Sequence, residues 1–514
     1  MACPWRSRSE LQDKDSYKWW VTGVVMTGLF MPVIDTNIVN VALPHMMAAF
    51  AVGVDQIKWV VTAYGMAFAI FTMLSHYLRT VIGIKLLYIA STALFTVTSM
   101  LCGLAWNNES MVVFRVLQAI GGGLMLPTGM TMITEAFPPE ERGKAFGVFG
   151  IVIILAPTLG PTLGGYLVDE VGWRYIFYIN LPIGILTLAL AALIIRHGGE
   201  ERRIRLDLLG FLSISVSLIF LLLALSDGQR EGWTSDYILG CFVISGLGLI
   251  VFILVDSLVS HPLIDLSLFF NRTFVLISIL SFIRAAGLFG RVFLLPLFMQ
   301  RAMGYTAMDA GWLIAPGAAL AGAGMPVVGR LSDRFGPKYF ILAGFLLLTW
   351  SQLLYNDLTV DTPYWHLLWP HLVFGIAMSC LQAPIMSTSM NVVRRDQIGM
   401  VSSLQGVIMQ LGGALGVAFL GTMLERSQTL YTSLYGESLG ASRETYGRLW
   451  YDLQGLAQRQ GLDPATVDPQ AQALLGGIIQ KQALVSAFDH TFIIAGLICA
   501  VGIPLVLWLK VKRP

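Results

Sequence analysis

Apolar residues run along this chain in stretches of about 20, divided by short polar connections, a length that matches an α-helix crossing a bilayer. Fourteen such stretches predict helices near residues 19–43, 57–78, 86–105, 111–133, 145–167, 175–195, 208–226, 237–256, 273–299, 310–328, 339–356, 364–388, 399–424 and 488–509. The pattern therefore predicts an all-α integral membrane protein whose two ends lie on the same side. It breaks once for long, over residues 425–487. Within that segment "ETYGRLWYDLQGLAQRQG" and "QAQALLGGIIQKQALVSAF" have helical composition, and "LDPATVDPQ" between them reads as a break. A helical hairpin outside the membrane is expected there.

Composition agrees. Of 514 residues, 56% are hydrophobic and 12% charged, against about 25% charged in an ordinary soluble domain. Thirty-three basic and 31 acidic residues nearly cancel, so net charge points to no nucleic acid. Cys102, Cys241, Cys380 and Cys499 fall in apolar runs and Cys3 in the tail, without metal-ligand spacing. The N-terminal tail lacks an apolar core before a cleavage site, so no cleaved signal is expected and the first span does that work.

The basic residues fix an orientation. Arg6, Arg8, Lys14 and Lys18 occupy the tail, and alternate connections then carry Arg79 and Lys85, Arg142 and Lys144, Arg196 to Arg205, Arg272, Arg330 to Lys338, Arg394 and Arg395, and Lys510 to Arg513. The intervening short connections hold only Lys58, Arg174, Arg230 and Arg301. By the positive-inside rule both termini are cytoplasmic, and segment 425–487 is external. That external segment carries Arg426, Arg443, Arg448, Arg459 and Lys481, and the three arginines then left, Arg115, Arg284 and Arg291, all lie inside spans.

Asp35 lies well inside the first span, where a carboxylate costs roughly 2.5–3.5 kcal/mol to insert. It needs a partner, a water-filled cavity or a task. Arg115 stands three residues before Gln118, so the two share a helix face that must turn from lipid. Asn37 and Asn40 likewise share a face. Arg284 and Arg291, seven residues apart in the ninth span, lie on nearly one face about 10 Å apart along the axis. Two readings stay open for them: pairing with Asp35 or backbone carbonyls, or reception of an acidic amphipathic substrate through charge-assisted bonds.

Short matches recur at one offset. Trp59 and Trp312, and Gly83 and Gly336, are separated by 253 residues, and "LGPTLGG" precedes "LGGALG" by 252. Two six-helix bundles, 19–195 and 273–514, would then flank an extra two-helix insert with its linkers, 196–272, after a cytoplasmic tail, 1–18. Paired repeats with a site near the midplane are a common plan of secondary transporters.

Several stretches carry a resemblance: "IDTNIVNVALP" in the first span, "RVLQAIGGG" at 115–123, "APTLGPTLGG" at 156–165, "WRYIFYINLPIG" at 173–184 and "GRLSDRFGPK" at 329–338. Together they resemble the fourteen-span drug:proton antiporters of the major facilitator superfamily, the EmrB/QacA type. The resemblance implies a major facilitator fold; within it the intramembrane placement of Asp35 and Arg115 predicts a role in proton coupling, a permanent structural ion pair being the alternative, and a substrate cavity is expected at Asn37, Asn40, Gln118, Arg284 and Arg291. It implies a conformational role for Pro157, Gly160, Pro161, Gly164 and Gly165, whose alternative is ordinary small-residue packing. It implies a cytoplasmic gate at Gly329, Asp333, Arg334 and Gly336, where Asp333 between Arg330 and Arg334 offers a breakable ion pair; a topology signal alone is the other reading. The first-half counterpart, "HYLRTVIGIK", departs from the pattern by placing Thr80 where the offset partner is Asp333.

Rival classes lack their parts. There is no GxxxxGK[ST], HExxH, G-x-S-x-G or Cys/His cluster, so neither ATP-driven transport nor an intramembrane enzyme is expected, nor any metal or cofactor. The expectation is a proton-coupled exporter in the bacterial inner membrane. Its substrates would be small lipophiles, neutral or anionic rather than quaternary cations, such as weak-acid drugs or fatty acids, within surrounding membrane lipid. A carrier of one specific metabolite or lipid on the same fold is the alternative. The resemblance also implies a periplasmic adaptor and an outer-membrane duct as partners at segment 425–487.

Overall fold

The computed structural model describes residues 16–196, 207–259, 262–441, 450–452, 454–455 and 464–509. A helix occupies each of the predicted apolar stretches. The first six are α1 (Tyr17–Phe50), α2 (Trp59–Ile82), α3 (Ile84–Gly103), α4 (Asn108–Ala136), α5 (Arg142–Glu170) and α6 (Asn180–Ile194). An inserted pair follows, α7 (Leu208–Glu231) and α8 (Asp236–Leu258). The last six are α9 (Arg272–Arg301), α10 (Ala307–Phe335), α11 (Pro337–Leu353), α12 (Tyr364–Asn391), α13 (Ile398–Ala441) and α14 (Pro464–Ala500), the last extended by Gly502–Trp508. Twelve helical stretches among the described residues are long and apolar enough to cross a membrane. The others are α5, with 29 residues, and α11, whose 17 residues reach about 25 Å.

Helix ends are satisfied by local chemistry, as membrane helices require. Asn107 and Ser110 form a reciprocal cap at the start of α4, and Thr306 and Asp309 do the same for α10. Asn271 caps α9 by accepting from the N–H of Thr273 and Phe274. The sharp connections α2–α3 and α10–α11 each turn on one glycine with positive φ, Gly83 at 80° and Gly336 at 94°. These are the two glycines that the offset of 253 relates, and a side chain would be strained at either.

Two seams join the first six helices to the last six: α5 packs along α10 and α12, and α13 packs along α2 and α4. At the end where α1 begins, one apolar core crosses both seams and gathers Phe146, Phe149, Met386, Met390 and Val401. The inserted helices pair with each other, and α7 lies against both α2 and α13. Polar contacts tie it to both sides. Lys58 Nζ meets Asp227 at 3.0 Å, and Trp233 Nε1 donates to Thr422 at 2.9 Å. Outermost is α8, which exposes Val243, Leu247, Ile250 and Leu254, as a lipid-facing helix should.

The segment after residue 424 differs from its expectation. α13 continues without interruption to Ala441, and α14 begins at Pro464 and runs through Pro469. Much of the expected break thus belongs to a helix. The two helices stay paired beyond the apolar stretch, with Ser427 on His490 at 2.9 Å and Tyr435 on Ser486 at 2.7 Å. A helix leaving the membrane loses its apolar periodicity because water satisfies all its faces, so hydropathy ends before the helix does.

Candidate functional site

Asp35 sits midway along α1, three residues after Pro32, and is fully buried. Its carboxylate is the acceptor at the centre of a polar cluster built by five helices, α1, α2, α3, α4 and α6. Arg115 Nη1 donates to Oδ2, Gln118 Nε2 donates to Oδ1 at 3.0 Å, and Asn180 Nδ2 donates to Oδ1 at 3.4 Å. Arg115 Nη1 also donates to Gln118 Oε1 at 2.7 Å, and its Nε to the Val60 carbonyl at 3.2 Å. The guanidinium lies over the Tyr64 ring, 4.0 Å from its centroid. Asn180 is itself held by Ser99 at 3.0 Å. The cluster answers the cost of a buried carboxylate with one cation and two amide donors.

Asn180, Tyr64 and Ser99 were not singled out from sequence. Asn180 carried a signal, since it is the one amide within "WRYIFYINLPIG". The other expected residues of this helix lie elsewhere. Asn37 Nδ2 donates to the Val33 carbonyl at 2.8 Å and Asn40 Nδ2 to the Thr36 carbonyl at 3.3 Å. Both are thus satisfied within α1 and neither reaches Asp35. Asn40 stands one turn beyond Thr36, which lines an open vestibule with Thr62, Leu225, Gln229, Phe293 and Gln410.

Neither arginine of α9 pairs with Asp35, which correct geometry reserves for Arg115 on the neighbouring α4. Arg291 donates to the Ser351 carbonyl at 3.2 Å, to Gln352 Oε1 at 2.9 Å and to Tyr355 Oη at 2.9 Å. It lies between the rings of Tyr355 and Phe374, 4.6 and 4.7 Å from their centroids. Arg284 donates to Gln382 Oε1. Both are about 1% exposed, and among the described residues neither has an acidic partner. An apolar cavity one turn along α9 from Arg284 is lined by Leu288, Val292, Ile314, Phe374 and, from the other half, Ile153.

At the end where α1 begins, both seams are shut. Gly143 of α5 and Gly329 of α10 meet backbone to backbone, so that a Cβ on Gly329 would overlap Gly143. Asp333 accepts from the N–H of Gly143 at 2.9 Å and of Lys144 at 3.0 Å. The expected ion pair with Arg330 or Arg334 does not form; the carboxylate faces the first turn of α5, whose free N–H groups and positive end outcompete exposed guanidinium groups. Arg334 lies over Phe335 instead, and Gly336 supplies the turn into α11.

The other seam closes differently. Thr80 donates to its own helix at the His76 carbonyl, and Ser75 meets Ser403 at 2.7 Å. Gly406 lies against the Thr72 methyl group. Within α5, Gly160 and Gly164 approach Asn37 and Ile38 of α1, while a Cβ on Gly165 would meet open space. These glycines therefore bring α5 close to the helix that carries Asp35, not to the opposite half. The side chains of Pro157 and Pro161 lie outside the described residues.

Comparison with known proteins places this geometry. The sequence model of the Major Facilitator Superfamily matches residues 25–417. The chain is similar to the multidrug transporter protein MdtP of Bacillus subtilis, 30% identical over 95% of this chain and 92% of the relative. It is similar to the fatty acid resistance protein FarB of Neisseria gonorrhoeae, 28% identical over 95% of each chain. The multidrug resistance protein Stp of Mycobacterium tuberculosis is 33% identical over 77% of this chain and 74% of the relative.

Proposed function

The chain belongs to the Major Facilitator Superfamily, and we propose that it is a fourteen-span, proton-coupled antiporter that exports lipophilic compounds from bacterial cells. It is a multi-pass membrane transporter and not an enzyme. The export reading draws on relatives named for drug and fatty acid resistance. With the termini in the cytoplasm, as the basic residues favour, the shut seams lie on the cytoplasmic side and the vestibule at Thr62 and Gln229 lies toward the exterior.

The observation that carries proton coupling is the fully buried Asp35 held by Arg115, Gln118 and Asn180. Those donors offset the cost of burying a charged carboxylate in this position. Rotation of the halves that admits water or shifts Arg115 changes the balance between the arginine and a proton as its partner. Proton uptake from outside and release inside would then drive the cycle. Purified protein in liposomes under an imposed pH gradient tests this. Asp35→Asn should abolish gradient-driven transport yet bind substrate and remain folded; normal active transport by that variant would remove Asp35 from the mechanism.

A further inference from the structure

The first and second halves treat a buried arginine–glutamine pair differently. Beside Arg115 and Gln118, a carboxylate takes hydrogen bonds from both, leaving the glutamine amide satisfied. Beside Arg284 and Gln382 there is none among the described residues. Gln382 Oε1 is committed to the arginine, which fixes the amide so that its Nε2 points away as a donor. Among the described residues that Nε2 has no partner, nor has Arg284 Nε. The nitrogen of Gln405, whose oxygen accepts from Ser281 at 2.9 Å, is a third such group. Ser281 is one turn from Arg284, so the surplus is of N–H donors next to a positive charge. Chemistry of that kind calls for an anion.

The surroundings add a place for an apolar tail. Gln382 lies against α5, its Cγ 3.1 Å from where a Cβ on Gly150 would stand. One turn further on α5 is Ile153, and one turn further on α9 is Leu288, and both line the apolar cavity with Val292 and Phe374. By the offset of 253, Leu288 stands where the first half has Asp35 and His371 where it has Gln118. The second half thus has Leu288 where the first has its carboxylate, and its own arginine–glutamine pair stands about one turn away, at positions that the offset relates to Met31 and Gly129. Arg291 Nε and Gln352 Nε2 are likewise without a partner among the described residues, but Arg291 is held far more tightly than Arg284. Three hydrogen bonds and two flanking rings fix it between α11 and α12.

We propose that Arg284 and Gln382 receive the acidic head of a lipophilic substrate, whose carboxylate takes the place that Asp35 takes beside Arg115 and Gln118 and whose first carbons enter the small apolar cavity at Leu288. The inference rests on the export reading and names the head-group site for acidic cargo. Because α5 closes this region from the other half, opening of the α5–α10 seam admits such a molecule from the cytoplasmic side.

Equilibrium binding to the full-length protein in neutral detergent tests it, with dodecanoate against dodecanamide as probes. Arg284→Gln should weaken dodecanoate roughly ten- to a hundredfold, the loss of one or two charge-assisted bonds, and change dodecanamide by less than about twofold. Gln382→Glu supplies a resident carboxylate to Arg284, so it should also exclude dodecanoate while raising the melting temperature, which keeps the test valid if Arg284→Gln unfolds. Equal losses for both probes, or unchanged dodecanoate affinity in both variants, would overturn the site. Displacement of dodecanoate by phosphatidylglycerol at equal mole fraction would also overturn it, assigning the donors to a lipid head group. Gradient-driven transport of a neutral lipophile by the unmodified protein is measured alongside. If it persists while the site fails, the export reading stands; if it is absent, that reading falls on its own.

Discussion

The carboxylate of Asp333, at the end of α10, accepts hydrogen bonds from the backbone N–H of Gly143 and Lys144, at the start of α5. A residue of one half thereby caps a helix of the other. The contact exists only while Gly143 and Gly329 are in backbone contact, so it belongs to one conformational state. The seam between α2 and α13 has no such cap, since Thr80 stands at the related position and bonds within its own helix. Closure at this end is asymmetric: a charge–dipole contact on one side and a hydroxyl pair, Ser75 with Ser403, on the other.

Removing the cap should shift the population toward opening at this end. Asp333→Ala forfeits a charged acceptor at a helix N-terminus, about 1–2 kcal/mol, or roughly five- to thirtyfold in the equilibrium. A cysteine introduced as Met325→Cys reports it, because Met325 is fully buried in the seam beside Gly147. Its alkylation should rise in the Asp333→Ala background and rise less with Asp333→Asn, which keeps an acceptor. Equal labelling in all three backgrounds would show that the cap does not hold the seam.

Arg291 makes a contrasting prediction. Its guanidinium satisfies Ser351, Gln352 and Tyr355, and its planar faces pack on two rings, so truncation strands buried polar groups and leaves a void. Arg291→Ala should destabilise the protein by about 2–4 kcal/mol. Thermal unfolding in detergent should show the loss, and affinity for acidic and neutral lipophiles should fall in parallel where the protein is still folded. A selective loss of acidic ligand would instead place Arg291 in the binding site.

What the sequence disclosed follows the physics of each feature. Helices within lipid were legible because a bilayer demands about 20 apolar residues, and the turns at Gly83 and Gly336 were legible through their shared offset. Asp35 and Arg115 stood out because a charge at membrane depth must find a partner, but three intramembrane arginines competed for one carboxylate and the sequence left their pairing open. The neutral partners Gln382 and Gln352 carry no such penalty and left no mark by which to choose them, and Asn180 was marked only as the one amide of its motif. Gly143 was unreadable for a different reason. Its role depends on which helix of the second half arrives there, and helix composition does not encode a neighbour. The glycines at 160 and 164 were seen, but the helix they face was not.

The continuation of α13 and α14 beyond the apolar stretch carries the last prediction. From residue 425 to Ala441, α13 extends about 25 Å past its apolar segment, and its partner descends alongside, joined through Tyr435 and Ser486 and through Ser427 and His490. A paired helical projection is a rigid object, and a rigid object at the mouth of an exporter can hold a second protein in line with the exit. In a cell with two membranes that protein would be a periplasmic adaptor leading to an outer-membrane duct. Deleting residues 432–480 leaves the Ser427–His490 contact to register the two helices. The deletion should lower cellular resistance to exported compounds roughly to the level of a strain without the protein, while gradient-driven transport in liposomes stays within about twofold, because linked sites lose coupling only when the connection is cut. Unchanged resistance would make the projection a cover over the vestibule, and loss of transport in liposomes would make it part of the carrier itself.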